Sequence, residues 1–214
     1  MKIAGIDENG RGSLIGPLVI TCFIIEESEV EKLKEIGVKD SKKLSKKKRE
    51  EIFEKLKNYE FYYELVLPIE IDIFLKNNGL NDLEAIYMAK LINRTDAKKY
   101  FIDSPSNPIK FQNKIKSYLK RNVELVVENK MDEKNLVVAA ASIIGKVIRD
   151  REIKKIEEEI KEEIGSGYPG DKKTIKFLKN VLKNKKNYDF IRKSWVTYER
   201  ERLRIRIKRI TDFI

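Results

Sequence analysis

Residues 2–25, KIAGIDENGRGSLIGPLVITCFII, contain two apolar runs of strand length separated by a break that holds two acids, Asp7 and Glu8, and the triplet Gly10, Arg11, Gly12. Short apolar runs joined through a glycine-containing break read as paired strands, so the chain is committed from its start to a sheet. The first strand ends in carboxylates. Neighbouring residues of a strand point to opposite faces, so Asp7 and Glu8 share one site only if the chain bends at the strand end, a bend that Gly10 and Gly12 permit.

Further along, helical periodicity is expected over residues 29–36 and 46–56, and a third strand over 60–68, rich in aromatic and branched residues. Helices follow over 69–76 and 81–92, a fourth strand over 98–103, a helix over 109–119 and a fifth strand over 122–129. A long helix begins near Val137 and stops at the GSGYPG turn of residues 165–170, where glycine and proline both break it. From Asp171 onward the pattern is helical with a basic end; LRIRIKRI, residues 203–210, fits either period, and its length and the preceding helical pattern favour helix. This order predicts an α/β core with a helical C-terminal region: a domain over residues 1–184 and a helical extension over 185–214.

Composition removes whole classes of chemistry. There is no histidine, which excludes Ser-His and Cys-His nucleophile systems and histidine-based zinc sites, and the lone Cys22 sits in an apolar run as a buried thiol. Forty-six Lys and Arg against 35 acids leave a net charge of +11, which favours a polyanionic partner such as nucleic acid. No apolar stretch is long enough to span a bilayer and the N-terminus reads as a strand, so a soluble, cytoplasmic protein is expected.

The remaining chemistry rests on carboxylates. Asp7 and Glu8 close the first strand, Asp103 closes the fourth, and Asp132 lies just past the fifth. Single acids beside strands are commonly solvated turn residues or helix caps. Four of them gathered at the strand ends of an α/β sheet would repel one another without cations between them, and an all-oxygen set suits Mg²⁺ or Mn²⁺. A pair of such ions supports phosphoryl transfer by activating water and stabilising the leaving oxygen.

Several ordered motifs then carry a resemblance. GIDENGRGSLIGPLV closely resembles the first signature of the type 2 ribonucleases H, the ribonuclease HII family; DSKKL at 40–44, NDLE at 81–84, IDSP at 102–105, AASIIGKVIRDREI at 140–153 and GSGYPGD at 165–171 follow in the family's order, and SWVT at 194–197 is like the archaeal members. The resemblance covers nearly the whole chain. It implies an RNase H-like fold, with a central mixed sheet flanked by helices, and metal-dependent hydrolysis of the RNA strand in RNA/DNA hybrids and at ribonucleotides embedded in duplex DNA. Cleavage 5′ to the ribonucleotide would leave 3′-hydroxyl and 5′-phosphate ends.

Carried over by motif, the metal ligands and catalytic acids are Asp7, Glu8, Asp103 and Asp132, holding two Mg²⁺ or Mn²⁺ ions. Gly10, Arg11 and Gly12 would recognise the ribonucleotide, their glycines letting backbone approach the 2′-hydroxyl. Tyr168 is similar to the tyrosine that packs on the sugar of the following nucleotide. Lys42, Lys43 and Lys146 would be phosphate contacts suited to a backbone rather than a base, and Ser142, one helical turn before Lys146, would serve the same region.

Two positions depart from the family. Ser13 stands where a proline or similar small residue is usual, and Gly145 where alanine is usual. Arg200, Arg202, Arg204, Arg206, Lys208 and Arg209 extend the duplex-binding surface or form a solvated helix face. SIIGKV lacks the leading glycine and the hydroxyl residue of a phosphate-binding loop. The expected partners are RNA/DNA hybrid and ribonucleotide-containing DNA, with no membrane and a monomeric chain; the alternatives are a non-catalytic nucleic-acid-binding module of the same fold and a related nuclease for another nucleic-acid structure.

Overall fold

The computed structural model describes residues 1–211, with side chains through residue 207. Five strands, β1 (Lys2–Asn9), β2 (Leu18–Glu26), β3 (Glu60–Val66), β4 (Lys99–Asp103) and β5 (Glu124–Glu128), form a mixed sheet in the order β3-β2-β1-β4-β5. β2 runs antiparallel to β1, whereas β4 and β5 continue parallel. The helices are α1 (Lys32–Ile36), α2 (Lys46–Leu56), α3 (Pro68–Phe74), α4 (Leu80–Arg94), α5 (Pro108–Ser117), α6 (Met131–Lys134), α7 (Leu136–Ile160), α8 (Lys172–Lys183) and α9 (Val196–Thr211). The ambiguous segment after Leu203 is helical through Thr211; the side chains of Lys208, Arg209 and Ile210, and all of Ile214, lie outside the described residues.

The chain divides into two compact units. The first comprises Met1–Asn9, Val19–Leu65 and Asn78–Ile148, and the second Gly10–Leu18, Val66–Asn77 and Arg149–Ile214. In the first unit the sheet packs against helices through a core that includes Phe23, Ile52, Leu56, Ile143 and Ile144. Cys22, in the same unit, is buried, and burial pushes its thiol up to about 12. The second unit has its own core, built from Leu14, Ile15, Ile164, Phe177, Leu178 and Ile191. One face of α8 supplies this core while lysines occupy the other, the division expected of an amphipathic helix.

Glycine places α7 in the first unit. A Cβ on Gly5 would lie 2.3 Å from the backbone carbon of Val137, so the start of α7 rests directly on the middle strand. Gly145 repeats the device one stretch later: a Cβ there would lie 2.8 Å from Asn9 Nδ2 and from Thr21 Oγ1. This glycine, costly in helix propensity, thus leaves room for two polar side chains beneath the helix.

Gly5→Ala is expected to destabilise the protein by about 3 kcal/mol, because backbone rather than a flexible side chain must move. Gly170→Ala, where a Cβ meets nothing within 4 Å, should change stability by less than about 0.5 kcal/mol. Urea denaturation of the two variants checks the contrast.

Candidate active site

β1 pairs regularly with β2 to its end, Asp7 opposite Thr21, Glu8 opposite Ile20 and Asn9 opposite Val19. β1 stays regular through both acids, and the chain turns at the strand end, where Gly10 has a positive φ of 88°. Asp7 and Asn9 share the α7 face, where Asn9 Nδ2 donates to Asp7 Oδ2 at 3.1 Å, and Glu8 leaves the strand from the other face. Asn9 escaped sequence reading because an Asn beside two acids looks like a turn residue.

Asp103 ends β4, one residue beyond the paired couple Ile6 and Ile102 on the neighbouring strand β1. Its Oδ1 accepts from the Met131 amide at 2.8 Å, a bond that ties the short helix α6 to the strand end. Asp132 follows on α6 and is 3% exposed, whereas its neighbour Glu133 is an exposed group. Lys42 Nζ donates to Asp132 Oδ2 at 3.1 Å, while the buried Oδ1 has no hydrogen-bond partner.

Lys42 comes from the DSKKL segment, a 3₁₀ turn over Ser41–Lys43 whose preceding Asp40 accepts from the Lys42 amide at 2.9 Å. Lys43 points its ammonium toward Asp40, at 3.7 Å. Ser41 and Ser142 share a buried hydrogen bond at 2.9 Å, and Ser142 also bonds Asp7. Ser41 was not singled out in the sequence, since only its fold-dependent partner on α7 gives it a role.

These contacts set the electrostatics. Burial pushes the Asp7 carboxyl up to about 7, helped by the charges of Asp103 and Asp132 and opposed by Ser142 and Lys146. Asp103 is raised mainly by burial and then by Asp132, against the Met131 amide and Lys42. Lys146 is half-buried and its ammonium is pushed down by desolvation, with Asp7 acting the other way. At Lys42 burial is the largest single influence and pushes the ammonium down, but the bond to Asp132 and the charges of Asp132, Asp40 and Glu133 together hold it above the ordinary lysine range.

Asp7, Asp103 and Asp132 thus lie within electrostatic reach of one another, although among the described residues no three acids stand close enough to hold an ion jointly as placed. Asn9, Met131 and Lys42 occupy their oxygens instead. The donor set still fits a hard divalent cation: it is all oxygen, it carries an orphaned buried Asp132 oxygen, and it includes a carboxyl that burial and like charge keep from ionising easily.

The second unit holds the other expected residues. Ser13 closes the turn after β1, its hydroxyl and amide both donating to Gly10 O at 2.9 and 3.2 Å, a role proline could not fill. Gly12 is exposed and a Cβ there would meet nothing within 4 Å, whereas at Gly10 it would lie 2.7 Å from Arg149 Nε. Of the two glycines, only Gly12 leaves space for an external group.

Arg192, fully buried, donates to Arg11 O at 3.0 Å and twice to Gly16 O at 3.2 and 3.1 Å, with Trp195 under its guanidinium. Its place within IRKSW gave no hint of this, because arginine in a basic chain reads as surface. Tyr168 is partly exposed in the 165–170 turn. On α9, Arg200 and Arg204 pair with Glu201 and Arg202 with Glu199, so these arginines sit in local ion pairs.

The mixed five-stranded sheet flanked by helices, with carboxylates at the ends of β1 and β4, is an RNase H-like arrangement. A family model described as Ribonuclease HII matches residues 4–198. Among curated proteins, the chain is 45% identical to the ribonuclease HII of Nanoarchaeum equitans, with all of both chains covered, and 41% identical to that of Pyrococcus horikoshii, covering 99% of this chain and 97% of the relative. The crystal structure of ribonuclease H2 from Pyrococcus horikoshii OT3 superposes with a TM-score of 0.87 at 40% identity, covering 96% and 99% of the two chains. A PCNA:RNase HII complex from Archaeoglobus fulgidus gives 0.85 at 34% identity, covering 91% and 95%.

The chain belongs to the ribonuclease HII family. Its activity is that of a ribonuclease H hydrolase, a divalent-metal-dependent class acting on nucleic acid.

Because the Asp7 proton is held more tightly in the folded than in the unfolded chain, the metal-free protein should lose stability as pH rises from about 4 to 7 and level off above. Asp7→Asn removes this loss and should stabilise the metal-free protein at pH 8 by on the order of a few kcal/mol. Urea denaturation in chelator at pH 5 and pH 8 measures it; a variant no more stable than wild type at pH 8 contradicts the burial of an ionising carboxyl.

Proposed function

We propose that the chain is an endoribonuclease that hydrolyses the RNA strand of RNA/DNA hybrids and incises duplex DNA 5′ to an embedded ribonucleotide, leaving 3′-hydroxyl and 5′-phosphate ends. The observation that carries this reading is the mutual electrostatic influence of Asp7, Asp103 and Asp132, together with a buried Asp132 oxygen that has no hydrogen-bond partner. Asp7, Glu8, Asp103 and Asp132 would hold two Mg²⁺ or Mn²⁺ ions. When bound, such ions lower the pKa of an attacking water and stabilise the leaving 3′-oxygen.

The chain's own residues do the rest. Lys42 and Lys43 present exposed ammonium groups on one short turn, suited to adjacent phosphates of a backbone, and Lys146 and Ser142 border Asp7. Asn9 and Ser142 hold the Asp7 carboxylate by hydrogen bonds and so fix its orientation. In the second unit, the open space at Gly12 admits a ribose 2′-hydroxyl to the backbone, Arg11 adds charge beside it, and the exposed part of Tyr168 offers a ring to a sugar.

The reading assigns a monomeric, cytoplasmic enzyme, consistent with a substrate arising in genomic duplexes. Among the described residues no helix is long and apolar enough to cross a membrane.

Incubation with a DNA duplex carrying one ribonucleotide should give metal-dependent incision on its 5′ side, read on a denaturing gel; binding without cutting would identify a non-catalytic module, and preference for a branched DNA junction another nuclease. Asp7→Asn should lower turnover on the order of a thousandfold while leaving hybrid binding within about threefold. Full activity in this variant would remove Asp7 from the site.

A further inference from the structure

The second unit contains a buried arginine with no part in the proposed chemistry. Arg149, on α7, is 4% exposed, and its side chain makes one hydrogen bond to a carbonyl, Nη2 to Ser166 O at 2.9 Å. Its Nε is buried without a hydrogen-bond partner, and Asp150, at 3.9 Å, is at the limit of an ion pair. Desolvating a guanidinium for so little bonding is costly, so the residue is to be understood by what it touches.

It touches two elements at once. The guanidinium carbon lies 4.4 Å from the centroid of the Tyr168 ring, a cation–π distance. On another side, a Cβ on Gly10 would lie 2.7 Å from Arg149 Nε and 2.8 Å from its Cδ, and one on Gly167 would lie 2.9 Å from Nη2. Both glycines have positive φ, 88° and 79°, and both are bare where the arginine passes. Direct bonds stitch the same two segments together, since the Leu14 and Ile15 amides both donate to Gly167 O, at 2.8 and 3.1 Å.

We infer that Arg149 is a positioning residue that locks the Tyr168 ring to the Gly10–Gly12 turn, so that the group reading the ribose and the group reading the next sugar act as one rigid gauge of an RNA-to-DNA junction. The inference rests on the proposed function. A planar guanidinium can stack on a ring and pass the two glycines together, which an ammonium cannot. Uniform hybrids present a ribose at every position and depend less on this registration than a single ribonucleotide does.

The test measures kcat/KM of wild type, Arg149→Lys, Arg149→Met, Tyr168→Ala and Arg149→Lys/Tyr168→Ala on two substrates, a duplex with one ribonucleotide and a uniform RNA/DNA hybrid. Each arginine variant should lose about tenfold on the single ribonucleotide and less than about threefold on the hybrid. Arg149→Lys should add less than about twofold to the loss already caused by Tyr168→Ala, because both remove one interaction. Equal losses on both substrates, fully multiplicative losses in the double variant, or failure of both arginine variants to fold in a thermal melt would make Arg149 a structural residue and overturn the inference. Absence of incision by the wild type would instead overturn the proposed function, which separates the two failures.

Discussion

The close approach of α7 to the middle strand is the constraint on which the candidate metal site depends. Two side-chain-free positions make it possible, Gly5 against the Val137 backbone and Gly145 above Asn9 and Thr21. With the helix held at that distance, Ser142 bonds Asp7, Lys146 acts on Asp7 through its charge, and Asn9 fits beneath the helix to bond the same carboxyl. The proximity also buries Asp7, and burial rather than any one neighbour is the largest influence on its proton. A carboxyl held in that state waits for positive charge.

Part of that charge is supplied from within the chain. Lys42, exposed along more than half of its side chain, pairs with the buried Asp132, so one of the anions at the strand ends already has an ammonium partner. An exposed lysine is a weakly held counterion, because salt and water compete for both charges. The Asp103 carboxylate is held differently, by the Met131 amide, which is a geometric clasp on α6 rather than a compensating charge.

In the second unit buried arginines hold the loops in place. Arg192 grips the carbonyls of Arg11 and Gly16, holding the loop after β1 at two points, and Arg149 joins that loop's first glycine to the Tyr168 turn. Each uses the planar spread of a guanidinium to serve several backbone groups or a ring at once. The adjacent glycines divide the work: Gly10 is bare to admit protein, and Gly12 is bare toward open space.

The sequence by itself determined the α/β order, the strand positions, the long helix stopped by the GSGYPG turn and the placement of acids at strand ends, because these depend on local periodicity and on residues that break it. It also revealed family membership through motifs in order. The tertiary structure alone decided which acids come together. Strand alternation starts Asp7 and Glu8 from opposite faces of β1, the chain turning only past the strand end at Gly10, and a four-residue helix too short to show a period, α6, brings Asp132 in beside Asp103. Asn9, Ser41, Arg149 and Arg192 gain their roles from partners as far as 181 residues away in the chain, a separation that no local pattern records.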